Sequence, residues 1–521
     1  MKRLQELIDF LGLDAETSYE KGLELNDLYI NSSDIRLSSV FIALQGHSAH
    51  GLDYLPQAIS QGAACVISDR ALEGGVCAQV PVFFVEDLKE RLPELANWFY
   101  HRPSQQLKVI GITGTNGKTS TAHYLAQMLS EKYSVAVLGT LGNGLVGQLT
   151  SSVNTTLETV SLNRKLHEFV QIGVDYVVME VSSHAIALGR IKHIRFEAVA
   201  LTQVTRDHLD FHKTQEAYRE AKAKLFLDYP AKFRVLNLAD SLGKALTETL
   251  MQSVGECICG YSLKNEDCDQ LVRHIRMDNS SQFKCLTRQA LRFSAEGFSG
   301  AWQWLDQRQN ESVRIDYHAH LMGRFNVENL MCAVALALNC GLDVQEVSAR
   351  IEQIKPVKGR MEKLAHSPNI MIDYAHTPDA LSSVLEAIKQ HFSAVNSKLW
   401  VVFGCGGERD TGKRPLMGKI AEREADYVVV TDDNPRGESP EQIADDILKG
   451  MSLPKQAKVI HERAAAIEYA IRQADAEDVI LIAGKGHENY QEINGQRFFM
   501  SDTVLVDLTL REVQEQQKER Q

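Results

Sequence analysis

Leu107-Lys-Val-Ile-Gly-Ile-Thr-Gly-Thr-Asn-Gly-Lys-Thr119 decides how this chain folds. LKVIGIT is an apolar run of strand length that stops in a glycine-rich turn. STAHYLAQMLSEKY then carries its apolar residues at helical spacing. A strand feeding a glycine loop and a helix lets backbone N–H groups close around phosphate oxygens, where the helix dipole favours anions. In that geometry Gly114, Thr115, Asn116, Gly117, Lys118, Thr119 and Ser120 line a nucleotide's phosphates. Lys118 offsets β/γ charge, and Thr119 offers its hydroxyl to Mg2+. The general phosphate-loop pattern asks for glycine where Ile112 stands; Gly111 comes one residue early.

Outward from this stretch, strand, loop and helix alternate. VDYVVMEV and EAVALTQV read as further strands of a doubly wound parallel sheet. Ahead of it, VFIAL, AACVISD and VPVFFVED describe a small α/β unit. Between Glu256 and Arg314 the pattern turns polar and irregular, and antiparallel strands with loops are expected. Helical periodicity returns at NVENLMCAVALALNCG, whose glycine is a C-terminal stop. After Pro356 a third unit begins. Its strands NIMIDYAHT, KLWVVFGCGG, ADYVVVTDDNP and DVILIAGKGHE each end in polar or glycine-rich residues, where open parallel sheets collect ligands. The fold class is therefore α/β with three domains, at 1–104, 105–355 and 356–521: a small N-terminal unit, a central phosphate-loop sheet and a Rossmann-like C-terminal unit. The tail REVQEQQKERQ reads as a solvated helix end.

A chain of 521 residues, 44% apolar and 24% charged, can bury several cores. With 56 basic against 68 acidic side chains the net charge is −12, which argues against broad nucleic-acid binding. MKRLQELIDFLGLDAE has no apolar signal core, and no apolar stretch is long enough to span a bilayer. The nine cysteines, with Cys257 and Cys259 the only close pair, complete no zinc spacing and read as reduced thiols of a cytoplasmic protein.

TGTNGKTS is also the phosphate-loop wording of the Mur ligase family, and other motifs stand in that family's order. They are Met179-Glu180-Val-Ser182-Ser183-His184, Thr205-Arg206-Asp207-His208, Ala221-Lys222-Ala-Lys-Leu-Phe226, Gly323-Arg-Phe-Asn326-Val-Glu-Asn329, Gly359-Arg360-Met-Glu362 and Asp373-Tyr374-Ala375-His376-Thr377-Pro378. Asp433-Asn434-Pro435-Arg436 and Gly484-Lys-Gly-His-Glu488 follow. The resemblance covers roughly residues 105 to 490.

The resemblance implies an ATP-dependent, ADP-forming ligase of cell-wall precursor synthesis, acting in the cytoplasm as a monomer on small molecules alone. Lys118, Glu180, His208 and Lys222 resemble the family's catalytic residues. Thr119, Glu180, His208 and Lys222 resemble ligands of two Mg2+ ions. Lys222 resembles the lysine that takes up CO2 to become N6-carboxylysine, exchanging a cation for an anionic oxygen pair that a hard cation prefers. The spacing AK-x-x-LF selects Lys222 over Lys224. Without the family, both are solvated helix charges, and Glu180 is as well read as a cap or ion-pair partner. Asn326, Arg360, Asp373 and His376 resemble ATP contacts.

For the UDP-MurNAc-dipeptide, Asn154, Thr155, Thr156, Ser182 and Arg190 resemble the muramyl-dipeptide contacts, with Leu188 where relatives often carry a polar side chain. Ser32, Gly46 and His47 are the uridine-end candidates. There Asn31-Ser32-Ser33 replaces the family's Asp-Ser-Arg. Arg436, with Arg409, Asp433, Asn434, Pro435, Gly484 and Glu488, resembles the pocket of members that select meso-diaminopimelate. A guanidinium can hold that substrate's distal carboxylate through two parallel hydrogen bonds. Lysine-adding relatives usually lack this arginine. The rival readings are an L-lysine-adding synthetase, another ligase of the Mur or folylpolyglutamate type, a generic phosphate-loop NTPase, and a nucleotide-binding scaffold without catalysis.

Overall fold

The apolar runs of the C-terminal third are strands because both of their faces are covered. In this computed structural model Asn369–Asp373, Val479–Ala483, Leu399–Phe403, Tyr427–Val430 and Lys458–Val459 lie side by side in that order, all parallel, with Glu362–His366 antiparallel on the outer edge. Alternate residues point to opposite layers. Met371, Val401, Phe403, Val430 and Leu481 enter one core, and Ile370, Ile372, Val402, Val429, Ile480 and Ile482 enter the other. That double burial is why these segments read as continuous apolar runs.

The structure describes residues 2–13, 22–46, 49–72, 80–152, 154–253, 255–268, 282–307, 311–392 and 397–520. They divide into two compact units. The first comprises Met1–Ile110, Tyr133–Glu197 and Asp228–Ala231; the second comprises Gly111–Lys132, Ala198–Leu227 and Lys232–Gln521.

In the first unit, Asp27–Tyr29, Ser39–Ala43, Ala63–Ser68 and Val82–Phe84 form a parallel four-stranded sheet in chain order. Val40 and Ile42 pack with the helices Leu4–Leu11 and Leu88–Phe99, while Phe41 and Ala43 face the opposite layer. The same unit holds Val135–Gly139 parallel to Tyr176–Glu180, and the helix Thr159–Gln171. Arg164 of that helix donates from Nε to Asp27 (2.8 Å) and stacks over the Tyr29 ring at 4.4 Å, which ties the helix to the four-stranded sheet.

In the second unit, Ala231–Asn237, Cys257–Ser262 and Gln282–Ser294 run parallel. Two antiparallel neighbours, Gly297–Asp306 and Glu311–Ala319, complete a long meander. The irregular segment of the sequence is therefore mostly regular sheet over its described residues, apart from a helical turn at 265–268, with one register slip between Arg288 and Ala290. Cys268 and Cys285 are joined as a disulfide, contrary to the expectation that all cysteines are reduced thiols. Cys285 stands in strand Gln282–Ser294 and Cys268 in the helical turn before it, 17 residues apart, so spacing alone gave no sign of the pair.

The last helix, Asp502–Arg520, is more than a solvated end. Its first residue, Asp502, accepts two hydrogen bonds of 2.7 Å from Arg463, which also donates to Ala483 O at 3.1 Å; both charged groups are buried.

Candidate functional site

In the second unit the loop Gly114–Gly117 joins the end of strand Lys108–Thr113 to helix Lys118–Ser130. Gly114 (φ +155°) and Gly117 (φ +86°) adopt conformations that side chains disfavour, and an added Cβ would run into Thr202 Oγ1 or Asn329 Oδ1 respectively. The loop is pinned by the segment after strand Phe196–Leu201 and by helix Gln215–Leu227. Thr202 Oγ1 donates to Asn116 O (2.6 Å), Thr115 N donates to Gln203 O, and Thr115 Oγ1 shares a 2.9 Å hydrogen bond with Tyr218. Thr202 and Tyr218 escaped the sequence reading because neither carries a motif; only a contact with the loop marks them.

Two lysines meet at one carbonyl. Lys118 Nζ donates to Gly114 O and Thr115 O, both at 2.9 Å, and Lys222 Nζ donates to the same Gly114 O at 2.8 Å. Lys222 is buried, whereas Lys224 on the same helix is exposed. Burial first, and then the Lys118 charge, hold the Lys222 ammonium well below its ordinary pKa. His208, at φ +53°, sits 3.4 Å from Asp207; burial lowers its pKa, with Asp207 opposing.

Arg360 lies with its guanidinium 4.4 Å from the Tyr374 ring centre and reaches Thr119 Oγ1 at 3.4 Å. Asp373 accepts from the N–H groups of Met361 and Ala375, each at 2.7 Å; burial raises its pKa to about 6 against the pull of Arg360. His376 pairs through Nδ1 with Tyr374 O (2.9 Å), and burial followed by the Lys413 charge lowers its pKa. Asn326 is buried, and its carboxamide is committed within the protein: it accepts from Tyr124 (3.1 Å) and donates to Met322 O (2.8 Å). Thr119 and Ser120 are buried at the start of the loop's helix.

Strand ends of the same unit carry the next group. Gly484 N donates to the backbone carbonyl of Asp373 at 3.1 Å, so the GKGHE loop begins beside the end of the Asp373 strand. Asn434 Nδ2 donates to Glu488 Oε2 at 3.0 Å, while Lys485 Nζ reaches Asn434 Oδ1 at 2.9 Å and Glu488 Oε2 at 3.2 Å. Arg436, at φ +53°, donates from Nη1 to Gly407 O at 2.8 Å, with Nε 3.6 Å from Glu492. A Cβ added to Gly406 would lie 2.9 Å from Arg436 Nη1 and 3.9 Å from Arg409 Cγ, so both arginines border that glycine. Asp433 and Pro435 are buried in the turn that presents Arg436. Lys485 and Glu492 are the residues missed here.

The first unit gathers the other candidates. Glu180 is buried and accepts from Thr140 N (2.8 Å) and Thr140 Oγ1 (3.2 Å); Thr155 shares a 3.1 Å hydrogen bond with the same hydroxyl. Thr156 Oγ1 donates to Glu180 O (3.0 Å) and accepts from Ser182 N (3.0 Å), and Arg190 donates to Thr156 O (3.1 Å). Asn154 is exposed nearby in sequence. At the uridine end, Ser32 Oγ donates to Gln57 (2.9 Å) and Gly46 N donates to Ala49 O (2.9 Å). His47 lies outside the described residues. Among the described residues, no helix is long and apolar enough to cross a membrane.

A glycine phosphate loop, a cluster of cationic and imidazole groups beside it, and polar strand ends define a nucleotide-dependent α/β ligase. Comparison with known proteins gives the family. The models described as "Mur ligase family, catalytic domain", "Mur ligase middle domain" and "Mur ligase, glutamate ligase domain" match residues 24–100, 112–337 and 359–486. A solved UDP-N-acetylmuramoyl-L-alanyl-D-glutamate–2,6-diaminopimelate ligase is 33% identical over 98% of this chain and 99% of its own, with TM-score 0.64. MurF from Acinetobacter baumannii shares the fold at 18% identity, with coverages of 88% and 90% and TM-score 0.63. Folylpolyglutamate synthase from Mycobacterium tuberculosis, solved with ADP and AMPPCP, shares it at 16% identity, with coverages of 76% and 92% and TM-score 0.54. The chain belongs to the Mur ligase family and is an ATP-dependent, ADP-forming amide ligase of peptidoglycan-precursor synthesis. The N-terminal, middle and C-terminal domains expected from the sequence are present.

Proposed function

We propose that this ligase adds meso-diaminopimelate to the D-glutamate of UDP-MurNAc-L-Ala-D-Glu. ATP transfers its γ-phosphoryl group to the glutamate carboxylate and ADP leaves. The amine then attacks the acyl carbon, phosphate departs and the amide forms. Positioning and electrostatics carry such a reaction, because little covalent chemistry falls to the protein. The loop from Gly114 to Ser120 holds the phosphates, with Arg360, Asp373, His376 and Asn326 in the nucleotide site. Thr156, Ser182 and Arg190, with Asn154 and Thr155, hold the dipeptide, and Ser32, Gly46 and His47 the uridine end. Domain ranges of 1–104, 105–355 and 356–521 fit this division of labour.

Thr119, Glu180, His208 and a carbamate on Lys222 would hold two Mg2+ ions, which supply charge neutralisation on the transferring phosphoryl group. The donors of the second unit fit that role: a hydroxyl, a neutral-leaning imidazole, and a buried amine whose lowered pKa favours CO2 capture. Lys118, already in the loop, turns from Gly114 O toward phosphate oxygens.

The observation that carries the amino-acid assignment is Arg436, bordering Gly406 together with Arg409 and one turn from the Asn434–Glu488 pair. Its guanidinium suits the distal carboxylate of meso-diaminopimelate, and Glu488 suits the distal ammonium. Purified protein with ATP, Mg2+ and UDP-MurNAc-L-Ala-D-Glu should consume meso-diaminopimelate far faster than L-lysine. Equal rates would return the lysine-adding reading.

A further inference from the structure

The lysine of the GKGHE loop is the most completely buried ammonium of the amino-acid region, and no step of the reaction uses it. Lys485 is 0% exposed. Removing an ammonium from water costs several kcal/mol unless its partners are well placed. Its partners are two residues assigned above to amino-acid recognition. Nζ donates to Asn434 Oδ1 (2.9 Å) and to Glu488 Oε2 (3.2 Å), and lies 5.5 Å from the Tyr490 ring centre. Asn434 Nδ2 closes the triangle on the same Glu488 oxygen at 3.0 Å.

The triangle fixes two orientations. Asn434 Oδ1 also accepts from Glu492 N at 3.0 Å, so two donors hold the carbonyl end of that amide. Its NH2 end is left toward the carboxylate. Glu488 is held by Oε2, and Oε1 takes no part in the triangle. The ammonium also sets the charge of the pocket: with it Lys485, Arg409 and Arg436 balance Asp433, Glu488 and Glu492, and without it the group is net anionic. A neutral pocket favours an amino-acid end carrying both charges, whereas an anionic one favours a purely cationic end.

We propose that Lys485 is a positioning and specificity residue, acting through Asn434 and Glu488 to favour a zwitterionic side-chain end over a cationic one. This rests on the assignment of Asn434 and Glu488 to the amino-acid site.

The test uses the full-length enzyme and the variants Lys485→Met, Lys485→Arg, Glu488→Gln and the Lys485→Met/Glu488→Gln double variant. KM is measured for ATP, meso-diaminopimelate and L-lysine. Loss of charge-assisted hydrogen bonds predicts a rise of about 10- to 100-fold in the meso-diaminopimelate KM for Lys485→Met. The preference over lysine should shrink, and the ATP KM should stay within about threefold. In the Glu488→Gln background the same change should cost much less, because the residues act as one unit. Lys485→Arg keeps the charge and should keep the preference, which preserves the test if the methionine variant does not fold. Equal shifts in ATP and amino-acid KM, additive losses in the cycle, or a preference lost equally with arginine would each overturn the proposal. If the wild type prefers another amino acid, the meso-diaminopimelate reading fails. Lys485 is then judged on the KM of the amino acid it does use.

Discussion

The phosphate loop and the GKGHE loop belong to the same unit and both follow a strand, yet they are held in opposite ways. Around Gly114 the cationic side chains rest on backbone carbonyls: Lys118 and Lys222 both donate to Gly114 O. For Lys118 such contacts are readily exchanged for phosphate oxygens. Around Gly484 the charged side chains hold one another, with Lys485, Asn434 and Glu488 closed in a triangle. The first loop rests its lysines on backbone carbonyls, and the second closes its charged side chains on one another. A backbone-built site recognises a group common to many reactions, whereas a side-chain-built site can be retuned for one substrate.

The contrast can be broken most forcefully at Lys222. Lys222→Ala should lower turnover by more than about 10³-fold, the scale of removing a preorganised electrostatic group. The exposed Lys224→Ala should stay within about twofold, and mass spectrometry should find a CO2 adduct on Lys222 alone. A fully active Lys222→Ala would show that the amine has no part in the reaction.

Acidity offers the next test, because one residue of each kind titrates beside the nucleotide contacts. Burial, followed by the Arg360 charge, lowers the His487 pKa to about 4, so the unfolded chain takes up this proton first. Stability from this group is intact above about 6.5 and declines as pH falls towards 4. Asp373, raised to about 6 by burial, slopes the other way: the folded state keeps its proton, and stability falls as pH rises from 3.8 to 6. At ~1.4 kcal/mol per pKa unit His487 contributes at most about 3.5 kcal/mol and Asp373 about 3 kcal/mol, and they oppose each other. Relative to wild type, His487→Gln should therefore unmask a fall in melting temperature with rising pH, and Asp373→Asn the reverse. Parallel curves for all three proteins would remove both groups from the account.

Arg436→Ala should raise the amino-acid KM by about 30- to 100-fold while ATP affinity holds within about threefold, since only the side-chain-built loop loses a charged hydrogen-bonding group. A matching loss of ATP binding would mean that the two loops are not separable. The smallest effect is expected in the other unit. Thr156→Val removes a hydroxyl bonded to Glu180 O and Ser182 N, worth about 1 kcal/mol, and should touch only the KM of the UDP-linked substrate.

What could be read in advance follows from what each residue needs from distant parts of the chain. Strands such as NIMID and VILIA were legible because burial on both faces writes itself into consecutive residues. The phosphate loop was legible because its glycines satisfy local backbone demands. Lys485 was not, because a lysine between two glycines reads as solvated, and its burial depends on Asn434, 51 residues earlier. The segment after Glu256 looked irregular because its strands are part exposed and alternate polar residues outward, yet Gln282–Ser294, Gly297–Asp306 and Glu311–Ala319 pair almost without interruption. Asn326 shows the converse. Its place in a motif was plain, but its bonds to Met322 and to Tyr124, the latter joining helix to helix, were not.

The buried Arg463–Asp502 pair gives the final helix a bearing on selectivity. Arg463 also holds Ala483 O, the residue immediately before Gly484 and Lys485. A cut that removes Asp502 would leave that guanidinium buried without its counter-charge, at a cost of about 3–5 kcal/mol. The loosening would start at the root of the amino-acid loop. Trimming this helix during purification would then pass unnoticed in an ATP-binding assay, and the damaged molecules would reveal themselves as a population that chooses its amino acid poorly.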